Sequence, residues 1–339
     1  MKDNQILLAL ESSCDDTSLA IFQWTQLLAL RTHTQLLEHQ ETRWVVPESA
    51  ARLHADNIFP LLERVLQDAN IQLTQLDYIA CTFEPWLVPS LLVTKSVAKV
   101  LSSRLGIPLL PIHHIEGHLF ALLLGRSLKE IDFPLLAMTV SWGHNEIYLW
   151  KSLYHFERVA FTRDDSAGEA FDKVSKMLGL PFPGGPHIAR YAQAYRERPG
   201  TWSLPSFPLP KFHLHDGIGE FSFSWLKSAV KREIDLRLAK NGGLNETDRC
   251  EIAYAFEEIV TQYLSGALYT MAEYYWEVES LWLCGGVSAN DRLREVIVSD
   301  KRYAKYKRLT VPLEKRFSLD NAAMIGMRAY YTQESQLEE

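Results

Sequence analysis

The chain has 339 residues and a formal net charge of −7; 47% of its residues are hydrophobic and 23% charged. This is the composition of an ordinary globular protein long enough for two cored domains, and it excludes a disordered or collagen-like chain. Charges interrupt the apolar runs well short of a bilayer span, and the negative balance offers nucleic acid no global attraction, so such contact needs a local patch.

Met1-Lys-Asp-Asn leads straight into an apolar run without a signal-peptide pattern. Cys14, Cys81, Cys250 and Cys284 form no C-x-x-C pair, which predicts a reduced, cytoplasmic setting. Gln5 to Leu10 reads as a strand, followed by a polar turn at Glu11-Ser12-Ser-Cys-Asp15-Asp16. Further strands are expected over about Ser18 to Phe22 and Leu27 to His33. The turn is a candidate phosphate loop, although an ordinary polar β-turn is the commoner explanation. Pro47 to Asn70 places Ala51, Ile58, Leu61, Leu62 and Val65 at helical spacing. A strand from Tyr78 to Thr82, a helix from Pro89 to Leu105 and a strand from Leu109 to Ile112 complete a first lobe.

The same grammar then restarts. Leu135 to Ser141 and Glu146 to Trp150 read as strands around a Gly143-His144-Asn145 turn, with helices near Ala167 to Leu178 and Pro186 to Ala194. A long polar loop is expected over Glu197 to Glu220, a long helix over Thr247 to Val278 and a buried strand over Ser280 to Cys284. Gly285 and Gly286 lie before a helix expected at Ser288, and Gly184 and Gly185 head another. Glycine there lets a ligand approach the backbone, and the helix N-terminus favours an anion; packing alone explains such pairs about as often. Two strand-rich lobes predict an α/β protein of the actin-like ATPase (ASKHA) type. Its two ribonuclease-H-like lobes, 1–125 and 126–339, would flank an interlobe cleft, and a last helix near 320–333 would pack back toward the first lobe.

His114 and His118 in Pro111-Ile-His-His-Ile-Glu-Gly-His118 are the main metal candidates. Positions i and i+4 of a helix differ by about 40°, so both imidazoles can reach one ion. Asp320 is a candidate third ligand, completing a face with open positions. Glu116 stands roughly 200° around the helix from His114, so it cannot activate a metal-bound water as the glutamate of H-E-x-x-H does. Taken alone, H-x-x-x-H is weak: paired core or surface histidines are the commoner cause. Asp172, one turn into its helix, can accept a ligand hydroxyl or amine, though such residues are more often only solvated. Lys301 to Arg308, basic residues interleaved with tyrosines, is the best local candidate for RNA contact, against a solvated surface as the simpler alternative. Lys227 to Lys240 is a second basic stretch.

Several segments together are specific. Glu11-Ser-Ser-Cys-Asp-Asp-Thr17, Val45-Val-Pro-Glu48, His113-His-Ile-Glu-Gly-His118 and Asp164-Asp-Ser-Ala-Gly-Glu-Ala-Phe-Asp-Lys173 come first. Pro183-Gly-Gly-Pro186, Phe221-Ser-Phe-Ser224, Cys284-Gly-Gly-Val-Ser-Ala-Asn290 and Asp320-Asn-Ala-Ala-Met-Ile325 follow in order. With these the chain resembles the TsaD family of tRNA N6-adenosine threonylcarbamoyltransferases, once described as O-sialoglycoprotein endopeptidases. The resemblance implies transfer of threonylcarbamoyl from threonylcarbamoyl-adenylate to N6 of the adenosine 3′ of the anticodon in ANN-decoding tRNAs. It implies an iron or zinc ion on His114, His118 and Asp320. It implies substrate contacts from Val140, Ser141, Trp142, Gly143, His144, Asp172, Gly185 and Asn290, with no side chain assigned as acid or base. Its implied partners are tRNA, an inactive TsaB-like paralogue and a TsaE-like P-loop ATPase, with no membrane.

The departures share one direction. Trp44, Trp86, Trp142 and Trp225 stand where the family pattern has glycine, in a chain with nine tryptophans and only 17 glycines. An indole forbids the close approach and positive φ that glycine permits. One explanation is an impaired paralogue that serves as a scaffold. The other is a UGA codon that means glycine in the source and was read as tryptophan. Recurrence of one exchange at four motif sites, with His114, His118, Asp320 and Asn290 retained, favours the second.

Overall fold

The computed structural model describes residues 4–39, 42, 44–198 and 205–335; Arg43 and part of the expected 197–220 loop lie outside the described residues. The chain divides into two compact units, residues 1–131 with 311–339, and residues 132–310. The last helix thus belongs to the first unit.

In the first unit, β1 (Ile6–Glu11), β2 (Asp16–Gln23) and β3 (Gln26–Thr34) form an antiparallel meander. β4 (Tyr78–Glu84) and β5 (Leu109–His113) extend it in parallel on the other side of β1, giving the order β3-β2-β1-β4-β5. Every residue of β1 is buried, as a strand covered on both faces requires. Helix α1 (Pro47–Ala69) starts with proline at its first position and ends on Asn70 in the left-handed region, φ 53°. Its buried stripe, including Ala50, His54, Ile58, Leu62 and Val65, packs with α2 (Val88–Leu105) over the sheet.

The short α3 (His114–Phe120) leaves β5 directly, and α9 (Ala322–Ser335) packs against α3, β1 and β2. Their contact depends on glycine. A Cβ on Gly117 would meet Ile325 Cδ1 at 2.9 Å, and one on Gly326 would meet the Phe22 ring at 2.5 Å. The entry to α9 is fixed too: the Asn321 side chain accepts from Met324 N at 3.1 Å, and Ala322 N donates to Ser18 Oγ at 2.9 Å.

The second unit repeats the pattern. β6 (Leu135–Val140), β7 (Asn145–Ser152) and β8 (His155–Thr162) form the meander; β11 (Ser280–Cys284) and β12 (Arg308–Thr310) extend it in parallel beyond β6. The hairpin of β9 (His213–His215) and β10 (Ile218–Phe221) adds to β8, so the expected 197–220 loop holds two strands. Between strands lie α4 (Ala167–Met177), α5 (Gly184–Glu197), α6 (Ser224–Asn241), α7 (Glu246–Tyr274) and α8 (Asp291–Ser299). The basic stretch Lys227 to Lys240 lies on α6. The helix expected at Ser288 starts instead at Asp291, because Asn290 caps it by accepting from Leu293 N at 2.9 Å.

Candidate metal centre and substrate loops

The carboxyl ends of β1, β4 and β5 deliver Glu11, Thr82 and His114 side by side, and the close contact of α3 with α9 brings Asp320 onto the two histidines. His114 Nε2 is 3.6 Å, and His118 Nε2 3.1 Å, from Asp320 Oδ1; one ligand atom from each residue lies within 4.8 Å of the others. His114 and His118 are buried, whereas the Asp320 side chain is 26% exposed. Among the described residues His118 Nδ1 has no hydrogen-bond partner, while Nε2 faces the Asp320 carboxylate on the side where His114 Nε2 also lies, so the three ligand atoms converge on one point. The donor set of two imidazoles and one carboxylate therefore fits a divalent cation.

Electrostatics couple the same three residues. Burial alone would depress His114, but the charges of Asp320 and Glu11 outweigh it and push its pKa up to about 9. Burial opposes ionisation of Asp320, yet His114 and the adjacent His118 hold its carboxyl down to about 2. Glu116 points elsewhere and pairs with Arg328 at 2.7 Å.

The remaining residues of the β1–β2 turn have separate partners. Ser12 Oγ is buried, donating to Ser90 O at 2.9 Å and lying 2.7 Å from Thr94 Oγ1, so it ties the turn to α2. Glu11 accepts from Ser13 N and Thr82 Oγ1 and lies 3.2 Å from His114 Nδ1. Burial, then Asp320, raises the pKa of Asp15; burial with Asp15 and Asp320 raises that of Asp16 well above the usual carboxylate range. Cys14 and the other three cysteines are free and buried.

In the second unit, Val140 to His144 form a tight turn closed by Ser141 N donating to His144 O at 2.8 Å. Helix α4 lies directly against it: a Cβ on Gly168 would meet Trp142 Cα at 2.6 Å. Ser166 caps α4 and also donates to Trp142 O. Gly285, at φ 85°, lies on the Val140 backbone, where a Cβ would come within 2.6 Å of Val140 O; Gly286 follows in a short 3₁₀ turn. Asp172 is not merely solvated. One carboxylate oxygen accepts from Gly184 N at 2.5 Å, capping α5, and the other from the Trp142 indole at 2.6 Å. Gly185 faces open space, with nothing within 4 Å of a Cβ built on it. Asn290 uses its amide nitrogen on Glu257, 2.8 Å away.

Trp142 is 43% and Trp44 55% exposed, and the Trp225 indole donates to Ser222 O at 3.1 Å. Trp86 sits at φ 143°, and Trp24, in the β2–β3 turn, at φ 54°; L side chains rarely adopt either conformation, whereas glycine does so readily. Trp24 was not singled out from sequence; a two-residue turn between alternating strands was its signal. No local sequence pattern marks Thr82, whereas the Ser-x-x-Glu capping pattern does mark Ser166. In the Lys301–Arg308 segment, Arg302 pairs with Asp300, Lys305 with Glu273, Lys307 with Glu279 and Arg308 with Asp132. Four of its five basic side chains thus have acidic partners, which weakens it as an RNA-binding patch. Among the described residues no helix is long and apolar enough to cross a membrane.

A family model for tRNA N6-adenosine threonylcarbamoyltransferase matches residues 26–327. A Bacillus cereus protein of that name is 39% identical over 327 residues, covering 96% of this chain and 91% of the relative. One from Desulfotalea psychrophila is 40% identical over 331 residues, covering 97% and 93%. Among solved structures, full-length HypF in its phosphate- and nucleotide-bound form aligns with a TM-score of 0.59 at 11% identity, over 100% of this chain but 56% of that one. HypF from T. kodakarensis gives 0.59 at 12% identity, over 98% of this chain and 48% of that one. These two likenesses, in which the chain spans about half of each HypF, show the actin-like ATPase fold. By family model and near-full-length relatives, the chain belongs to the TsaD family of tRNA N6-adenosine threonylcarbamoyltransferases.

Proposed function

We propose that this chain transfers the threonylcarbamoyl group of threonylcarbamoyl-adenylate to N6 of the adenosine 3′ of the anticodon in ANN-decoding tRNAs. The observation that carries this is the convergence of His114, His118 and Asp320 in a member of the TsaD family. The three residues would hold iron(II) or zinc, both of which suit imidazole with carboxylate. When bound, the ion would supply Lewis-acid polarisation and orientation of an acyl or phosphoryl oxygen.

The adenylate is a mixed anhydride, already activated. The N6 lone pair forms the new bond to the carbamoyl carbon, AMP departs with the electrons of the broken C–O bond, and the N6 proton passes to water. This requires positioned reactants more than a nucleophilic side chain, which accords with the absence of an assigned acid or base. We assign the adenylate to the turn formed by Val140, Ser141, Trp142, Gly143 and His144, together with Asp172 and Gly185. Support comes from their grouping around the heads of α4 and α5, where backbone N–H groups favour anionic ligands. We assign Asn290, which caps α8 just after the glycine turn, to the same substrate. We place the reaction in the cytoplasm, with a TsaB-like paralogue and a TsaE-like ATPase as partners.

Trp142 bears on activity directly, because its indole takes the Asp172 oxygen that a substrate hydroxyl or amine would use. The test supplies threonylcarbamoyl-adenylate, partner proteins and an ANN-decoding transcript, with mass spectrometry of the adenosine as readout. The Trp142→Gly protein is expected to modify the transcript, and Asp320→Asn on that background to fail. No modification by folded, metal-loaded Trp142→Gly protein would refute the reading.

A further inference from the structure

We infer that Glu11 is a positioning residue for the metal centre: its clamped carboxylate fixes the His114 ring so that Nε2, not Nδ1, faces the ion. The inference rests on the metal reading above and assigns Glu11 a task distinct from that of a phosphate loop. Glu11 ends β1, Thr82 lies next to it on β4, and His114 follows β5, so the three come from neighbouring parallel strand ends. The Glu11 side chain is fully buried, and His114 is its ion-pair partner among the described residues. One oxygen accepts from Ser13 N; the other accepts from Thr82 Oγ1 and lies 3.2 Å from His114 Nδ1. Ser13 Oγ is also 3.2 Å from that nitrogen.

In the neutral ring that binds a metal, a carboxylate at Nδ1 selects the tautomer with its proton there and leaves Nε2 to donate its lone pair, on the side of Asp320 and His118. It also raises the basicity of the ligand nitrogen. His118 has no comparable anchor, since its Nδ1 lacks a hydrogen-bond partner. The rigidity of the centre therefore enters through Glu11. A buried carboxylate without a lysine or arginine needs compensation, and a divalent ion reached through the imidazole supplies it.

Cobalt(II) titration of the full-length apoprotein, followed by visible absorption, tests this without tRNA or turnover. Glu11→Gln keeps shape and an acceptor but loses the charge; it is expected to bind cobalt about 10–100-fold more weakly, with a shifted ligand-field band. Thr82→Val leaves the carboxylate but loosens it, and is expected to give a smaller loss in the same direction. Thr82→Val decides the matter should Glu11→Gln not fold. A purely structural role would lower the melting temperature of the apoprotein and leave affinity and band unchanged, which would overturn the inference. Failure of the unsubstituted chain to bind cobalt would instead overturn the metal reading itself, and the inference with it.

Discussion

His114 and Asp320 set how the centre depends on pH. In the metal-free protein His114 has a pKa of about 9, so at neutral pH its Nε2 carries a proton that a metal must displace, while Asp320, near 2, is already ionised. Apparent affinity should therefore rise with pH, by up to about tenfold per unit, and level off above His114's own pKa. Zinc titrations at several pH values check this; a flat profile between pH 6 and 8 would contradict it. Trp86 makes a second prediction. Its φ of 143° belongs to glycine, so Trp86→Gly should stabilise the protein by roughly 1 kcal/mol although it removes side-chain contacts. A lower denaturation midpoint, the ordinary result of deleting an indole, would speak against a backbone built for glycine. The gene offers an independent check: UGA at codons 24, 44, 86, 142 and 225 is expected, and UGG there would end the recoding explanation.

At the scale of elements, the site exists because α3 and α9 come close enough to share it. Gly117 permits that approach, and Gly117→Val would force Ile325 and Met324 away, costing about 1–3 kcal/mol and displacing Asp320 from the histidines. Weakened zinc binding together with a lower melting temperature is the expected result; unchanged zinc affinity would show that the α3–α9 contact does not set the ligand geometry. The His114/His118 spacing was legible because helical periodicity is local. Asp320 was legible as a candidate carboxylate, but only the family resemblance tied it to the two histidines, since no local rule joins residues some 200 positions apart. Thr82 was silent for the same reason: its task comes from strand pairing. The misplaced start of α8 has a local cause, because Asn290 followed by Asp291 is a stronger helix start than Ser288. Helix α6 was read only as basic residues; its buried positions, Leu226, Ala229, Val230 and Ile234, are few and surrounded by charge.

At the scale of the whole chain, the repeated order of an antiparallel meander followed by two parallel strands is what alternating strand and helix patterns predicted in outline. The β9–β10 hairpin was hidden because each strand is only three or four residues long. In both units the proposed chemistry lies at the carboxyl ends of parallel strands: the candidate metal ligands beyond the edge strand β5 in one, the Val140 to His144 turn proposed for the adenylate beyond β6 in the other. The most direct measurement is the metal content of protein purified without added metal, beside His118→Ala and Asp320→Asn. The account predicts about one iron or zinc ion per unsubstituted chain and a large loss in both variants while the fold is kept. Equal metal content in all three folded proteins would contradict it.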